Sequence, residues 1–154
     1  MAKQYGFLID ASRCTGCRTC EVACKDKNNL PVGRNFRHVL SFEGGGWRQG
    51  RATGAWHTDT FAYYVSVSCN HCEDPACVKV CPTKAHFKRK EDGLVLIDRD
   101  KCIGCGMCAK ACPYGAPQLD TVAKKMTKCD ACQDRLAKGL NPVCVDSCPQ
   151  RAIE

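Results

Sequence analysis

An α+β fold of two small lobes, with short strands, short helices and long loops, follows from three features of this sequence. All sixteen cysteines fall into four quartets, within 14–24, 69–81, 102–112 and 129–148, and none is left over. The quartets repeat in alternation, as duplication of a two-quartet module would leave them. Aromatic residues are only 7% of the 154 residues, thin material for a large apolar core. Something other than side-chain packing must hold the lobes together.

The repeat is read by laying the chain on itself. "FLIDASRCTGCRTCEVAC" at 7–24 matches "LVLIDRDKCIGCGMCAKAC" at 94–112, with Ile9 on Ile97, Asp10 on Asp98 and Ala23 on Ala111. "CNHCEDPACVKVCPTKA" at 69–85 matches the last quartet, "CDACQ" to "NPVCVDSCPQRA", apart from a seven-residue insertion within 133–141. Between quartets, the β-branched and aromatic runs "FLI" (7–9), "FAYYVSVS" (61–68) and "LVLI" (94–97) predict short strands. "CDACQDRLAKG" predicts a short helix stopped by Gly139. "GGG" at 44–46 predicts a turn inside the one long spacer, 25–68, which also carries Trp47 and Trp56. Local packing is the first expectation for both tryptophans, and a partner surface is the alternative.

The run C-x2-C-x2-C-x3-C followed by Pro is the bacterial ferredoxin signature, and "CIGCGMCAKACP" at 102–113 fits it position for position. Three cysteines on one tight loop can wrap three iron corners of a cubane. The fourth lies one helical turn further on and reaches a neighbouring cluster. Pro82, Pro113 and Pro149 follow the last cysteine in three quartets, where a missing N–H suits the start of the next turn; Lys25 stands there in the first. The expected fold is therefore two ferredoxin-like lobes organised around four [4Fe-4S] clusters, with all sixteen cysteines as iron ligands.

Other uses of so many thiols fit less well. The N-terminal stretch has no basic region followed by a long apolar run, which argues against a Sec-exported disulfide scaffold. Zinc sites are normally built from two separated C-x2-C knuckles and give no reason for a third cysteine two residues on, or for the Cys-Pro. With thiolates complete, His71 inside "CNHC" is not needed as a ligand and is expected near the cluster or at the surface. His38 and His57 are the only candidate ligands in the spacer. The formal charge of +7 falls to about −1 once four clusters at roughly −2 each are counted. The basic excess then balances cofactor charge, and "KRKED" at 88–92 and "AKK" at 123–125 read as solvated faces rather than a nucleic-acid footprint. No stretch approaches the roughly 18 apolar residues of a membrane span.

The residues between the cysteines resemble a known family. "QYGF.ID..RCTGC.TCE.ACKD", "GAWH", "FAYY.S.SCNHCEDPAC.KVCP", "KRKEDG", "CIGC..C..ACPYGAPQ" and "MTKCD.C" are similar, nearly end to end, to the four-cluster electron-transfer subunits of molybdopterin oxidoreductases. Within that group they look most like the iron–sulfur (B) subunit of dimethyl sulfoxide reductase. Spacing alone leaves open whether neighbouring quartets exchange their fourth cysteines or the outer pair encloses the inner pair. The resemblance implies the second arrangement. Its four ligand sets are Cys14, Cys17, Cys20 with Cys148; Cys129, Cys132, Cys144 with Cys24; Cys69, Cys72, Cys77 with Cys112; and Cys102, Cys105, Cys108 with Cys81. It implies an outer lobe of 1–24 plus 113–154, an inner lobe of 69–112 and an insertion of 25–68. Gly106 and Met107 depart from that branch, which tends to have Arg and Tyr there.

The resemblance further implies a non-catalytic subunit that relays single electrons between an integral-membrane quinol-oxidising subunit and a molybdopterin catalytic subunit. The Cys102 cluster would lie nearest the membrane subunit and the Cys14 cluster nearest the molybdenum. Membrane association through partners is expected, on the periplasmic side after twin-arginine co-export, with a cytoplasmic position as the alternative. A freestanding polyferredoxin and a zinc-stabilised binding module are the rival functions.

Overall fold

The two halves of the duplicated sequence fold alike in the computed structural model, which describes residues 3–154. In the first and third quartets a helix begins beside the third cysteine: α1 (Thr19–Lys27) holds Cys20 and Cys24, and α3 (Met107–Ala111) holds Cys108. In the second and fourth, a proline precedes a single helical turn, Pro75 before α2 (Ala76–Lys79) and Pro142 before α5 (Val143–Asp146). The prolines fit because their ring fixes φ and their missing N–H would have no partner in a first turn. α1 packs on α5, and α2 on α3. Helices from different quartets thus meet in pairs.

The small sheets repeat as well. β5 (His86–Lys88) pairs antiparallel with β6 (Val95–Ile97), with His86 opposite Ile97. At the equivalent place in the other half, Ile9 faces Ile153 in a single antiparallel bridge, and Leu8 and Glu154 exchange backbone hydrogen bonds of 2.8 and 3.0 Å. The predicted strand at 7–9 is therefore reduced to a bridge, because this pairing extends only over 152–154. The predicted strand at 94–97 is β6, with Leu94 just ahead of it and fully buried. A third hairpin joins β7 (Gln118–Asp120) to β8 (Lys125–Thr127).

The spacer forms one long antiparallel ribbon. β1 (Arg37–Gly44) pairs with β4 (Phe61–Ser68), and β2 (Trp47–Gln49) pairs with β3 (Trp56–Thr58) in the same continuing register. The predicted strand at 61–68 is thus realised. The glycines at 44–46 do not reverse the chain; the reversal lies at the tip, 50–55. Gly45 instead bends one edge at φ +82°, where a Cβ would fall 2.2 Å from the Asp59 carbonyl oxygen, and the Gly46 N–H donates to Asp59 Oδ1 at 2.7 Å. Trp47 and Trp56 are 67% and 62% exposed, so they do not pack locally. Phe42 and Tyr63 stack at 5.2 Å between centroids, with Phe61 beside them, all exposed on the ribbon surface.

The predicted helix at 129–139 also shortens. Only α4 (Gln133–Leu136) is helical, because Ala131 and Cys132 take left-handed φ of 57° and 51° to bring two thiols inward; Gly139, at φ +71°, closes the turn as expected. The core is correspondingly unusual. Among the described residues nine of the nineteen buried apolar side chains are cysteines, and Leu94, Val95, Leu96 and Ile153 supply much of the rest. Among the described residues no helix is long and apolar enough to cross a membrane.

A core made half of thiols is expected to need what the thiols bind. Stripping iron with a chelator under anaerobic conditions should abolish the cooperative thermal transition followed by circular dichroism, whereas a native-like transition in the iron-free chain would contradict this.

Candidate functional site

Each ferredoxin-type loop is shaped by residues with positive φ. Gly16 and Arg18 (φ 71° and 59°) alternate with other residues in the first quartet, as Gly104 and Gly106 (71° and 75°) do in the third. Left-handed residues at alternate positions turn successive N–H groups toward one point, a concavity suited to an anion. Gly104 cannot be replaced without distortion, since a Cβ would lie 2.3 Å from the Lys124 carbonyl oxygen. In the second quartet His71 takes the left-handed role at φ 45°.

All sixteen cysteines are free thiols, and they gather into groups drawn from distant parts of the chain. One cavity is lined by Cys14, Cys17, Cys20 and Cys148. Another is lined by Cys69, Cys72, Cys77 and Cys112. Each takes three thiols from one loop and one from another quartet. Cys24 sits close enough to Cys132 and Cys144 to feel their charge, and Cys129 close enough to feel Cys24. Cys102 and Cys108 pack with Cys81, and Cys105 is the charge neighbour of Cys108. Among the described residues no three His, Cys, Asp or Glu side chains converge closely enough for a single metal ion. The thiols line hollows that join one loop to a cysteine of another quartet.

Burial dominates the thiol chemistry. It pushes Cys24 up to about 12, helped by Cys144 and Cys132, and pushes Cys77 and Cys108 to about 11. Cys129 is raised further still by the same cause. In the bare chain these thiols keep their protons at neutral pH, and iron must displace them. Donors then stand ready for the sulfurs: Met126 N–H to Cys102 and Ala152 N–H to Cys148, each at 3.3 Å, and Thr19 Oγ1 to Cys17 at 3.4 Å. The Thr19 hydroxyl is the main reason Cys17 lies below its ordinary pKa.

Residues that sequence reading did not single out brace these groups. Ser66 Oγ lies 3.4 Å from Cys20 Sγ and accepts from Arg37 Nη1 at 3.0 Å, so its own proton is free for the sulfur. Arg37 is 1% exposed and rests on the Phe7 ring at 4.5 Å. Strand alternation in "FAYYVSVS", which turns Ser66 and Ser68 inward, was the available signal. His71 is buried near its quartet, as one of the two expectations had it, and its Nδ1 accepts from Val95 N–H at 3.0 Å. Burial, and then the Lys128 charge, push its pKa down to about 3, so the ring is neutral. His38 lies 3.7 Å from Glu21, and His57 stands on the exposed strand β3; neither joins a thiol group.

Two pairs of cysteine loops on short helices and hairpins define a ferredoxin-type iron–sulfur protein. Known proteins agree. A 4Fe-4S dicluster domain matches residues 60–154, and a 4Fe-4S binding domain matches residues 5–26. The B subunit of the anaerobic dimethyl sulfoxide reductase of Escherichia coli K12 is 57% identical over the whole of this chain, which spans 74% of that relative. The corresponding subunit of Haemophilus influenzae is 54% identical over 99% of this chain and 73% of its own length. The B subunit of the polysulfide reductase of Wolinella succinogenes is 42% identical over 99% of this chain and 76% of its own. The chain belongs to the family of dimethyl sulfoxide reductase iron–sulfur (B) subunits. It is an electron-transfer protein with four [4Fe-4S] clusters as cofactors.

Protein prepared without oxygen should hold about sixteen irons and about sixteen acid-labile sulfides per chain. Stoichiometric zinc in a colourless protein would be the contrary result.

Proposed function

We propose that this chain is the non-catalytic relay between a quinol-oxidising membrane subunit and a molybdopterin catalytic subunit that reduces an S- or N-oxide. The observation that carries the reading is where thiols reach the surface: of the sixteen, only Cys17 and Cys105 are exposed. They belong to different groups, at opposite ends of the series of thiol contacts. Cys144 packs with Cys20 and Cys148, Cys69 acts on Cys129 by charge, and Cys77 packs with Cys81 and Cys102. These contacts support a cluster order beginning at Cys14, passing through the Cys129 and Cys69 groups, and ending at Cys102.

The ligand sets in this reading are the four implied by the family resemblance, with Cys148, Cys24, Cys112 and Cys81 as the exchanged fourth ligands. The lobe boundaries follow from them, with 1–24 and 113–154 around one cluster pair and 69–112 around the other. The chain's own chemistry is to space the clusters and tune each one through burial and hydrogen bonds to sulfur. Its ribbon rises beside the Cys14 loop, where the Tyr64 ring lies against Gly16. The exposed Trp47, Trp56 and Phe61 make that end suited to the catalytic subunit, and the Cys105 end faces the quinol. The complex is membrane-associated through its partners on the periplasmic side.

Replacing Cys105 by Ser removes one iron corner while Cys102, Cys108 and Cys81 hold the other three. The variant should carry about one iron fewer and show a three-iron paramagnetic resonance signal. That cluster is easier to reduce, so it should trap the electron. Quinol oxidation is then expected to stall, while turnover with an artificial donor to the catalytic subunit continues. An unchanged spectrum with full quinol-driven activity would remove Cys105 from the ligands.

The export proposal is tested separately. Deleting the twin-arginine leader of the catalytic partner should leave this chain in the cytoplasmic fraction; an unchanged distribution would exclude co-export.

A further inference from the structure

Lys128 is a buried cation with no anion of its own. It is 6% exposed, and its Nζ donates to the Val95 carbonyl and, at 2.8 Å, to the Cys129 carbonyl. Among the described residues, no Asp or Glu lies within ion-pair distance of it. Taking an ammonium out of water without a counter-ion is unfavourable. A fold that keeps one there must set a negative charge beside it.

The surroundings say where that charge is. Lys128 lines the cavity of Cys69, Cys72, Cys77 and Cys112, and with Cys129 it also lines the adjoining groove. Burial pushes the Cys129 and Cys77 thiols up, and the Lys128 charge draws both back down. The titratable groups on the other sides are His71 and His86, both at most 2% exposed. Burial and then Lys128 itself hold them near 3 and 4, so both are neutral and add no second positive charge, and an imidazole carries no negative charge to serve as the counter-ion. Asp92, beyond His71, is committed to Arg89. Two carbonyls from different segments, β6 and the Cys129 loop, pin the ammonium at this junction.

We propose that Lys128 is the shared counter-charge of the two middle clusters, those of Cys69 and Cys129, and that it raises the reduction potential of both. The proposal rests on the four-cluster relay reading above. An oxidised cubane with four thiolates carries roughly −2, and one electron from the neighbouring cluster takes it to roughly −3. A fixed cation at the wall stabilises the second state more than the first. No proton or bond changes hands.

The test uses the cluster-loaded complex and a redox titration followed by electron paramagnetic resonance. In Lys128→Gln the amide can still donate to the two carbonyls but the charge is gone. The Cys69 and Cys129 clusters should then titrate at more negative potential, with the Cys14 and Cys102 clusters unmoved, and Lys128→Arg should restore the parent values. Unchanged potentials, a shift confined to one middle cluster, or an equal shift of all four would each overturn the proposal. Should the Gln variant fail to load, loss of only the two middle clusters alongside a fully loaded Arg variant supports the counter-charge. Loss in both variants, or of all four clusters in the Gln variant, assigns Lys128 to packing alone and overturns it. Parent protein with far fewer than about sixteen irons would instead count against the four-cluster reading itself.

Discussion

Cys148 shares a cavity with Cys14, Cys17 and Cys20, and Cys112 shares another with Cys69, Cys72 and Cys77. This closure of the chain through thiols from distant loops is the constraint on which the rest of the structure depends. Loops of this kind have few apolar neighbours, and their helices run from about one turn to about two and a half. Closing a long loop costs conformational entropy that grows only slowly with its length. A metal cluster held from both ends offsets that cost in a single event. The first and last quartets can therefore meet across most of the chain.

Charge is the second constraint, and it follows from the first. Four anionic clusters in a small protein cannot be buried without compensation. Part of it is backbone N–H aimed at sulfur, as from Met126 and Ala152. Part is a pair of buried cations, Arg37 behind Cys20 and Lys128 between Cys129 and the Cys69 cavity. The remainder is spread over an exposed basic surface. The formal charge of the polypeptide is thus a poor guide to partners, since it omits the cofactors it balances.

The ribbon obeys different rules. Its register is unbroken past Gly45, and its aromatic side chains other than Tyr64 face outward. An isolated hairpin is at best marginally stable in water. This one is anchored at its base, where Tyr64, Ser66 and Arg37 reach the first quartet. Beyond that base it has surface rather than core, and such exposed aromatic area is characteristic of a region that meets another protein.

The sequence by itself determined the cofactor chemistry, the duplication and the α+β class, because each is written in short-range spacing. Three thiols on one loop and, in three quartets, a proline after the fourth are local demands of geometry. The strand at 61–68 was legible for the same reason, through its β-branched and aromatic run. Other features depended on long-range contacts. The 7–9 segment reads as a strand, yet pairs only through Ile9 and Ile153. The 129–139 segment reads as a helix, yet its first four residues bend to present thiols. "GGG" reads as a turn, yet continues a ribbon whose partner strand lies beyond the tip. Only the tertiary structure decided which quartets share a cavity, which two thiols reach the surface and where the Lys128 ammonium is trapped. Burial and electrostatic neighbourhood are properties of space, and residues as far apart as Cys14 and Cys148 carry no local mark of their meeting.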